Sequence, residues 1–236
     1  MTFSPAHRVI PILTATLLAL DLSFWSANVP KIPHGGWFPL VVGLAFFTFM
    51  TTWHRGAYLL AVLVARITPE LQTFLGRVRS ESIVRTPGAA VFVTGRLEQT
   101  PPALQQLLKH TGVLPQTVVI LTVVVETEAK IPLEERIELK NLGDGFHRLV
   151  LRYGFMQGPN VPSDLAECAA LGLKLDLNRV HYFIGQVDLF EGRRADGMSA
   201  WRDRLFMFMA RNTPDATASY QIPAAQTMTV GLQVGI

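Results

Sequence analysis

The chain has a single cysteine, Cys168, in 236 residues, which excludes an internal disulfide, a CxxC redox pair and a cysteine-built zinc site. Charged residues are scarce at 17%, and no block of like charge marks a nucleic-acid-binding tail. The net charge of +3 and pI near 9.2 are weak arguments for nucleic acid, and basic residues just beyond an apolar span are explained more simply by membrane orientation. No internal repeat or low-complexity segment is present. The six histidines, His7, His34, His54, His110, His147 and His181, have no metal-ligand spacing. None pairs with a serine or carboxylate as a catalytic group would, so the reading is that the chain is not an enzyme and uses no cofactor.

What is abundant is apolar sequence, 49% of the chain with a mean hydropathy of +0.29, and it is concentrated before about Ala65. Val9–Asn28 carries one formal charge, Asp21, and Trp37–Trp53 carries none. At about 1.5 Å per residue, such stretches match a hydrocarbon core of about 30 Å. The pattern therefore predicts a membrane α-helical hairpin of two transmembrane helices, joined by the short Lys31–Gly36 linker. A cleaved signal peptide is disfavoured, because Phe24, Trp25 and Asn28 crowd the cleavage region and a second span follows at once. Arg8 precedes the first helix, Lys31 alone lies in the linker, and Arg55, Arg66, Arg77 and Arg79 follow the second. This balance places both termini in the cytoplasm, with Trp25, Trp37 and Trp53 at the interfaces. The expected location is the cell inner membrane, with several passes and the lipid bilayer as partner.

Beyond the spans, Tyr58–Ala65 reads as a helix leaving the membrane into the amphipathic Pro69–Arg79, where Leu71, Phe74, Leu75 and Val78 share one face. The rest reads as a cytosolic α/β domain with a mixed sheet. Ala89–Thr94 and Thr117–Val125 are strands flanking a helix capped by Thr100, opened by Pro101 and Pro102 and stopped by Gly112. Arg136–Asn141 and Phe146–Phe155 flank Gly143-Asp144-Gly145 as a hairpin. Ser163–Leu171 is helical, Val180–Val187 and Met228–Ile236 are strands, and a last helix has Met198, Trp201, Leu205 and Phe208 as its inner stripe, with Arg202, Asp203 and Arg211 facing water. The divisions are 1–56 for the two-helix transmembrane segment, 57–85 for a helical connector and 86–236 for the cytosolic domain.

Among individual residues, Asp21 is the candidate for an ion- or proton-linked group, since a carboxylate within a span is costly unless it faces protein or water. The competing reading pairs it with a polar group on a helix outside this chain. Asn28 and Lys31 read as end-capping and interfacial residues, and His54 and Arg55 as markers of the inner interface. Gly143-Asp144-Gly145 lacks the lysine of a phosphate loop. Cys168 belongs to an apolar helix and reads as core. Arg193 and Arg194 form an exposed basic spot. An open α/β sheet can bind a nucleotide at its strand ends, but no residues single themselves out.

Several separated motifs resemble one family in their order. They are Phe24-Trp25-Ser26-Ala27-Asn28, Lys31-Ile32-Pro33, Gly35-Gly36-Trp37-Phe38-Pro39-Leu40 and the run Thr48 to Gly56. Further along come Pro87-Gly88 with Ala90-Val91-Phe92, Pro101-Pro102-Ala103-Leu104, and Arg152-Tyr153-Gly154-Phe155-Met156. Tyr182-Phe183-Ile184-Gly185 and Met209-Ala210-Arg211-Asn212 complete the set. Together they resemble the carboxy-terminal portion of Kup-type potassium uptake permeases, including the last two membrane helices. The resemblance implies potassium uptake coupled to protons, with potassium ion and proton as partners. It also implies a homodimer through the cytosolic domain and control by a cyclic dinucleotide. In that family about ten earlier helices form the ion path, which favours the pairing role for Asp21 and an inability of this chain to conduct by itself. Departures occur at Gly235, where the family usually has glutamate, at Gly185-Gln186-Val187 in place of Gly-Arg-Glu, and in the more apolar Tyr58–Ala65; they fit a truncated gene product. The alternative is a membrane-anchored regulatory or interaction module that binds a nucleotide or a protein partner.

Overall fold

A computed structural model describes residues 6–190, 198–213 and 219–235. The chain divides into two compact units, Met1–His54 and Arg55–Ile236.

Among its described residues the first unit is helical apart from a break at His34 and Gly35. Helix α1 spans Ala6–Asn28, and α2 spans Trp37–Ile67 and carries the chain into the second unit. The expected linker loop is itself helical: a 3-10 turn at Val29–Lys31 passes into a wider turn at Ile32–Gly36. Pro30 and Pro33 each stand near the start of one of these turns, where a missing N–H costs least. His34 and Gly35 leave helical geometry, and Gly35 has φ +125°, so the two α-helices meet at a break. By length and composition, Pro11–Ile67 is one helical run apolar enough to cross a membrane. Side chains along it are exposed almost everywhere up to Met50, including Leu17, Phe24, Phe46 and Met50. The hydroxyls of Thr16, Thr48 and Thr51 bond back to the carbonyls of Ile12, Leu44 and Phe47 at 2.8–2.9 Å. Polar groups satisfied within their own helix suit a surface that meets lipid rather than water.

The second unit is a three-layer α/β domain. Its strands are β1 (Val84–Val93), β2 (Val113–Glu126), β3 (Ile137–Gly143), β4 (Phe146–Gly154), β5 (Val180–Phe190) and β6 (Thr227–Gly235). They form one sheet in the order β3-β4-β2-β1-β5-β6, parallel except for β3, which pairs antiparallel with β4. Alternation along the strands supplies two cores. Val91, Val119, Leu121 and Leu149 face α6 (Val161–Glu167) on one side of the sheet. Ala90, Phe92, Val118 and Ile120 face α3 (Leu71–Ser80) and α4 (Pro102–Thr111) on the other. Each fully buried Leu, Ile or Phe contributes about 1.5–3 kcal/mol, so two-sided burial of the central strands is what makes the sheet a core.

Most elements lie where the sequence places them, including the four buried apolar residues of α3 and the stop of α4 at Gly112, which has φ +69°. Two expectations are corrected. Thr100 does not cap α4: its buried hydroxyl makes no hydrogen bond, and the cap position is Pro101. The last helix, α7 (Ala200–Arg211), buries Phe206 and Met207, whereas Trp201 is 57% and Phe208 64% exposed. The reason is a specific contact. Phe206 lies against Gly56 of α2 so closely that any Cβ at position 56 would run into its ring, and this seating turns the expected stripe outward.

Candidate functional site

Strand order locates the place to look. The chain passes from β1 through α4 to β2 on one side, while β5 lies against the other side of β1. Open α/β sheets bind ligands where the winding reverses in this way, beyond the carboxyl end of the strands. The loop that leaves β1 is already engaged by the chain's own connector. Leu71 N donates to Glu98 O at 2.9 Å and Thr100 N to Pro69 O at 3.1 Å, with Glu70 and Gln99 bridged as an antiparallel pair. The half-buried Arg96 adds a side-chain clasp: its Nη2 donates to the Ala61 carbonyl of α2 at 2.8 Å and its Nη1 to Gln99 Oε1 at 2.9 Å. The start of α4 is a poor anion site, because Pro101 and Pro102 have no N–H to offer. This site therefore holds a helix end in place of a small ligand.

A second polar cluster lies on the α6 side of the sheet. Asp164 of α6 is buried and accepts a short hydrogen bond from Tyr153 Oη at the end of β4, with Arg136 Nη1 3.6 Å from its other oxygen. Asn160 N donates to Tyr153 Oη at 3.2 Å, and the Arg136 guanidinium stacks 5.5 Å from the centre of the Tyr153 ring. Burial, then the hydrogen bond to the Asp164 carboxylate, raises the Tyr153 hydroxyl well above the ordinary tyrosine range. Burial likewise pushes the Cys168 thiol up to about 11. A protonated phenol and a protonated, enclosed thiol are unreactive, so this cluster is a buried brace tying α6 and the segment Leu133–Arg136 (α5) to β4.

Residues 2–58 match the family described as the K+ potassium transporter integral membrane domain, and residues 87–236 match the K+ potassium transporter C-terminal domain. The chain belongs to the K+ potassium transporter family. It is 47% identical over 225 residues to the probable potassium transport system protein Kup 1 of Geobacter sulfurreducens, which covers 95% of this chain and 36% of that relative. The corresponding Kup protein of Nitrosomonas eutropha is 43% identical over 222 residues, covering 94% of this chain and 35% of the relative. That of Myxococcus xanthus is 41% identical over 225 residues, covering 95% and 34%. The chain thus spans about a third of the length of the curated relatives it matches, and it corresponds to the carboxy-terminal portion of Kup-type potassium transporters. No solved structure matches it at a significant level.

In this potassium-transporter segment the residues singled out from sequence do not converge. Asp21 sits on the exposed surface of α1 with no hydrogen bond or ion pair among the described residues. Asn28 Nδ2 donates to Phe24 O at 2.8 Å and Lys31 Nζ to Asn28 Oδ1 at 3.2 Å, so these two close the end of α1. His54 and Arg55 are exposed on α2. Gly143-Asp144-Gly145 forms the β3–β4 turn, all three at positive φ, and Asp144 is held by Arg79 Nε at 2.6 Å. Cys168 is fully buried. Arg193 and Arg194 lie outside the described residues. Among the described residues, no group of three or more His, Cys, Asp or Glu could hold a metal. Sequence reasoning missed Arg96 and the Arg136–Tyr153–Asp164 brace. Arg96 has no local signature because its partner Ala61 is 35 residues away. The Arg152-Tyr153-Gly154 motif did mark the brace, though only as a likeness and without its partners.

Proposed function

We propose that this chain supplies the last two membrane helices and the cytosolic domain of a transporter that takes up potassium together with protons. In this reading α1 and α2 cross the inner membrane as a hairpin with both termini in the cytoplasm. Residues 1–56 are the transmembrane segment, 57–85 the connector and 86–236 the cytosolic domain. The observation that carries it is the joint at Arg96 and residues 98–100, which fastens the α2–α3 segment to the loop after β1. The joint lies between the portion matching the integral membrane domain and most of the portion matching the C-terminal domain. The orientation follows from Lys31 alone on one side and Arg55, Arg66, Arg77 and Arg79 on the other.

Potassium conduction needs coordinating groups along a closed polar route, and two helices with outward-facing apolar side chains offer none. The proposal is therefore that the helices of this chain do not conduct by themselves and that Asp21 meets a polar group on another helix. No catalytic chemistry is assigned. Self-association through the cytosolic domain is part of the reading. So is cyclic dinucleotide binding, for which the available space is a cavity of about 560 Å³ beside Pro87, Gly88, Arg179 and His181 at the amino ends of the strands. A free-standing nucleotide-binding module gains no support at the crevice itself, where the loop after β1 is already bound by the connector.

Topology and transport are tested together. A cysteine at Gly35 reacts with an impermeant maleimide on intact cells, and one at Gly88 reacts only after lysis; the opposite pattern rejects the orientation. Rubidium uptake by proteoliposomes holding this chain alone stays at the level of empty vesicles, and flux above that level rejects the claim of incompetence.

A further inference from the structure

At the amino ends of the strands, β1 is interrupted. Thr86 pairs with Pro115 and Ala89 with Thr117, so Pro87 and Gly88 stand opposite Gln116 alone, and pairing with β5 begins only at Ala89. Gly88 has φ +115° and open space where a side chain would stand, so a ligand can approach the backbone there. Two cavities meet at this bulge, one on each side of the sheet, and Arg179 lines both. The larger, about 560 Å³, has an apolar floor of Ala90, Leu107 and Phe183, and Phe183 is braced by its stack on Phe92 at 4.8 Å. The smaller, about 280 Å³, is lined by Lys174, Thr117 and Asp176.

The cations at this end of the sheet differ in what they meet. Arg79 is engaged by the Asp144 carboxylate and the Leu142 carbonyl, and Arg85 by the Pro115 and Asp144 carbonyls. Among the described residues, the side chains of Lys174 and Arg179 make no hydrogen bond or ion pair. Asp176 shares their cavity but is engaged locally: its Oδ1 accepts from Asn178 N at 3.2 Å, and its carbonyl accepts from Arg179 N at 2.9 Å. That turn holds the stem of Arg179 beside the bulge. Two cations against one carboxylate leave positive charge in excess, next to an apolar floor.

We propose that the β1 bulge is the binding site of a small phosphomonoester with an aromatic portion, of the size of a nucleoside monophosphate. The terminal phosphate, with about −1.5 to −2 charges near neutral pH, sits between Lys174 and Arg179, and the aromatic portion crosses Gly88 to lie over Phe183. Its charge distinguishes this ligand from a cyclic dinucleotide, whose phosphates are diesters of one charge each. All of these groups belong to the second unit, Arg55–Ile236.

The test is calorimetric binding of AMP, cyclic AMP, adenosine and cyclic di-AMP to the full chain in neutral detergent. AMP binds saturably and more tightly than cyclic AMP, which has the same base and sugar but a singly charged diester, and adenosine binds most weakly. Lys174→Gln and Arg179→Gln each weaken AMP binding by about tenfold or more and abolish its advantage over cyclic AMP. Thermal unfolding is unchanged in both, since the two residues are exposed. Lys109→Gln removes the same charge from the rim of a different cavity and leaves AMP affinity as it was. Any other order of affinities overturns the inference, as does an equal loss of AMP binding in Lys109→Gln. Cyclic di-AMP bound through Arg179 with no binding of AMP overturns it and leaves the cyclic dinucleotide reading standing, whereas no binding of either overturns both.

Discussion

Replacing Arg96 with methionine keeps most of the side-chain volume and removes the clasp between the loop after β1 and α2. A hydrogen bond from a charged donor is worth about 1.5–3 kcal/mol, and two are lost here, to the Ala61 carbonyl and the Gln99 amide oxygen. Both acceptors keep other options, since Ala61 is a helix residue and both sites are only half-buried, so the net loss falls well below the sum of the two bonds. A loss of about 1–2 kcal/mol corresponds to a 5- to 30-fold increase in local opening. The amides that report it are those of the bridge, Leu71 N and Thr100 N, whose hydrogen bonds cross between the two segments. Hydrogen exchange of the detergent-solubilised chain, followed by mass spectrometry, should therefore accelerate by that factor in peptides covering residues 68–72 and 98–101. Peptides from the central strand β2 should be unchanged. Equal protection of the bridge peptides in native and Arg96→Met chains would refute the joint as a stabilising contact.

Further tests address other parts of the molecule. Gly145→Ala places a Cβ at φ +78° against the Gln116 carbonyl, so thermal unfolding of the domain should show a loss of about 1–3 kcal/mol; an unchanged midpoint would show that the turn can relax. The Cys168 thiol is raised from 9.0 to about 11, so its contribution to stability is complete below pH 9 and is lost as pH rises toward 11. The raised Tyr153 and Tyr182 hydroxyls act in the same direction. Urea unfolding of the chain from pH 8 to pH 11 should show this alkaline decline, and a flat profile would contradict it. In a full-length relative that has an aspartate at the position of Asp21, its replacement by Asn should reduce the amount of inserted protein more than potassium affinity. Normal protein levels with transport abolished would assign that carboxylate to the ion or proton path.

Much of the fold was legible because its signals are local and periodic. The continuous apolar run buried in β2, the four-residue stripe of α3, the glycine stop of α4 and the Gly-Asp-Gly turn each follow from a pattern within about fifteen residues. The reading failed at α7, where Trp201 and Phe208 form a plausible inner stripe by spacing alone. Periodicity identifies an apolar face without saying what it meets, and Phe206 won the inner position because Gly56, 150 residues earlier, leaves room for its ring. The short Lys31–Gly36 linker between α1 and α2 is expected as a tight loop, yet Pro30 and Pro33 stand where helical turns tolerate them and the segment is helical.

Composition and motif order by themselves determined that this is a membrane-associated potassium-transporter segment with an α/β domain, because hydrophobic stretches of bilayer length and ordered family motifs need no coordinates to be seen. Only the tertiary structure decided what the carboxyl end of the sheet is used for and which side of α7 faces outward. Both depend on contacts between residues 35 to 150 positions apart, Arg96 with Ala61 and Phe206 with Gly56. Such contacts come from the packing of whole elements, and no local propensity encodes them.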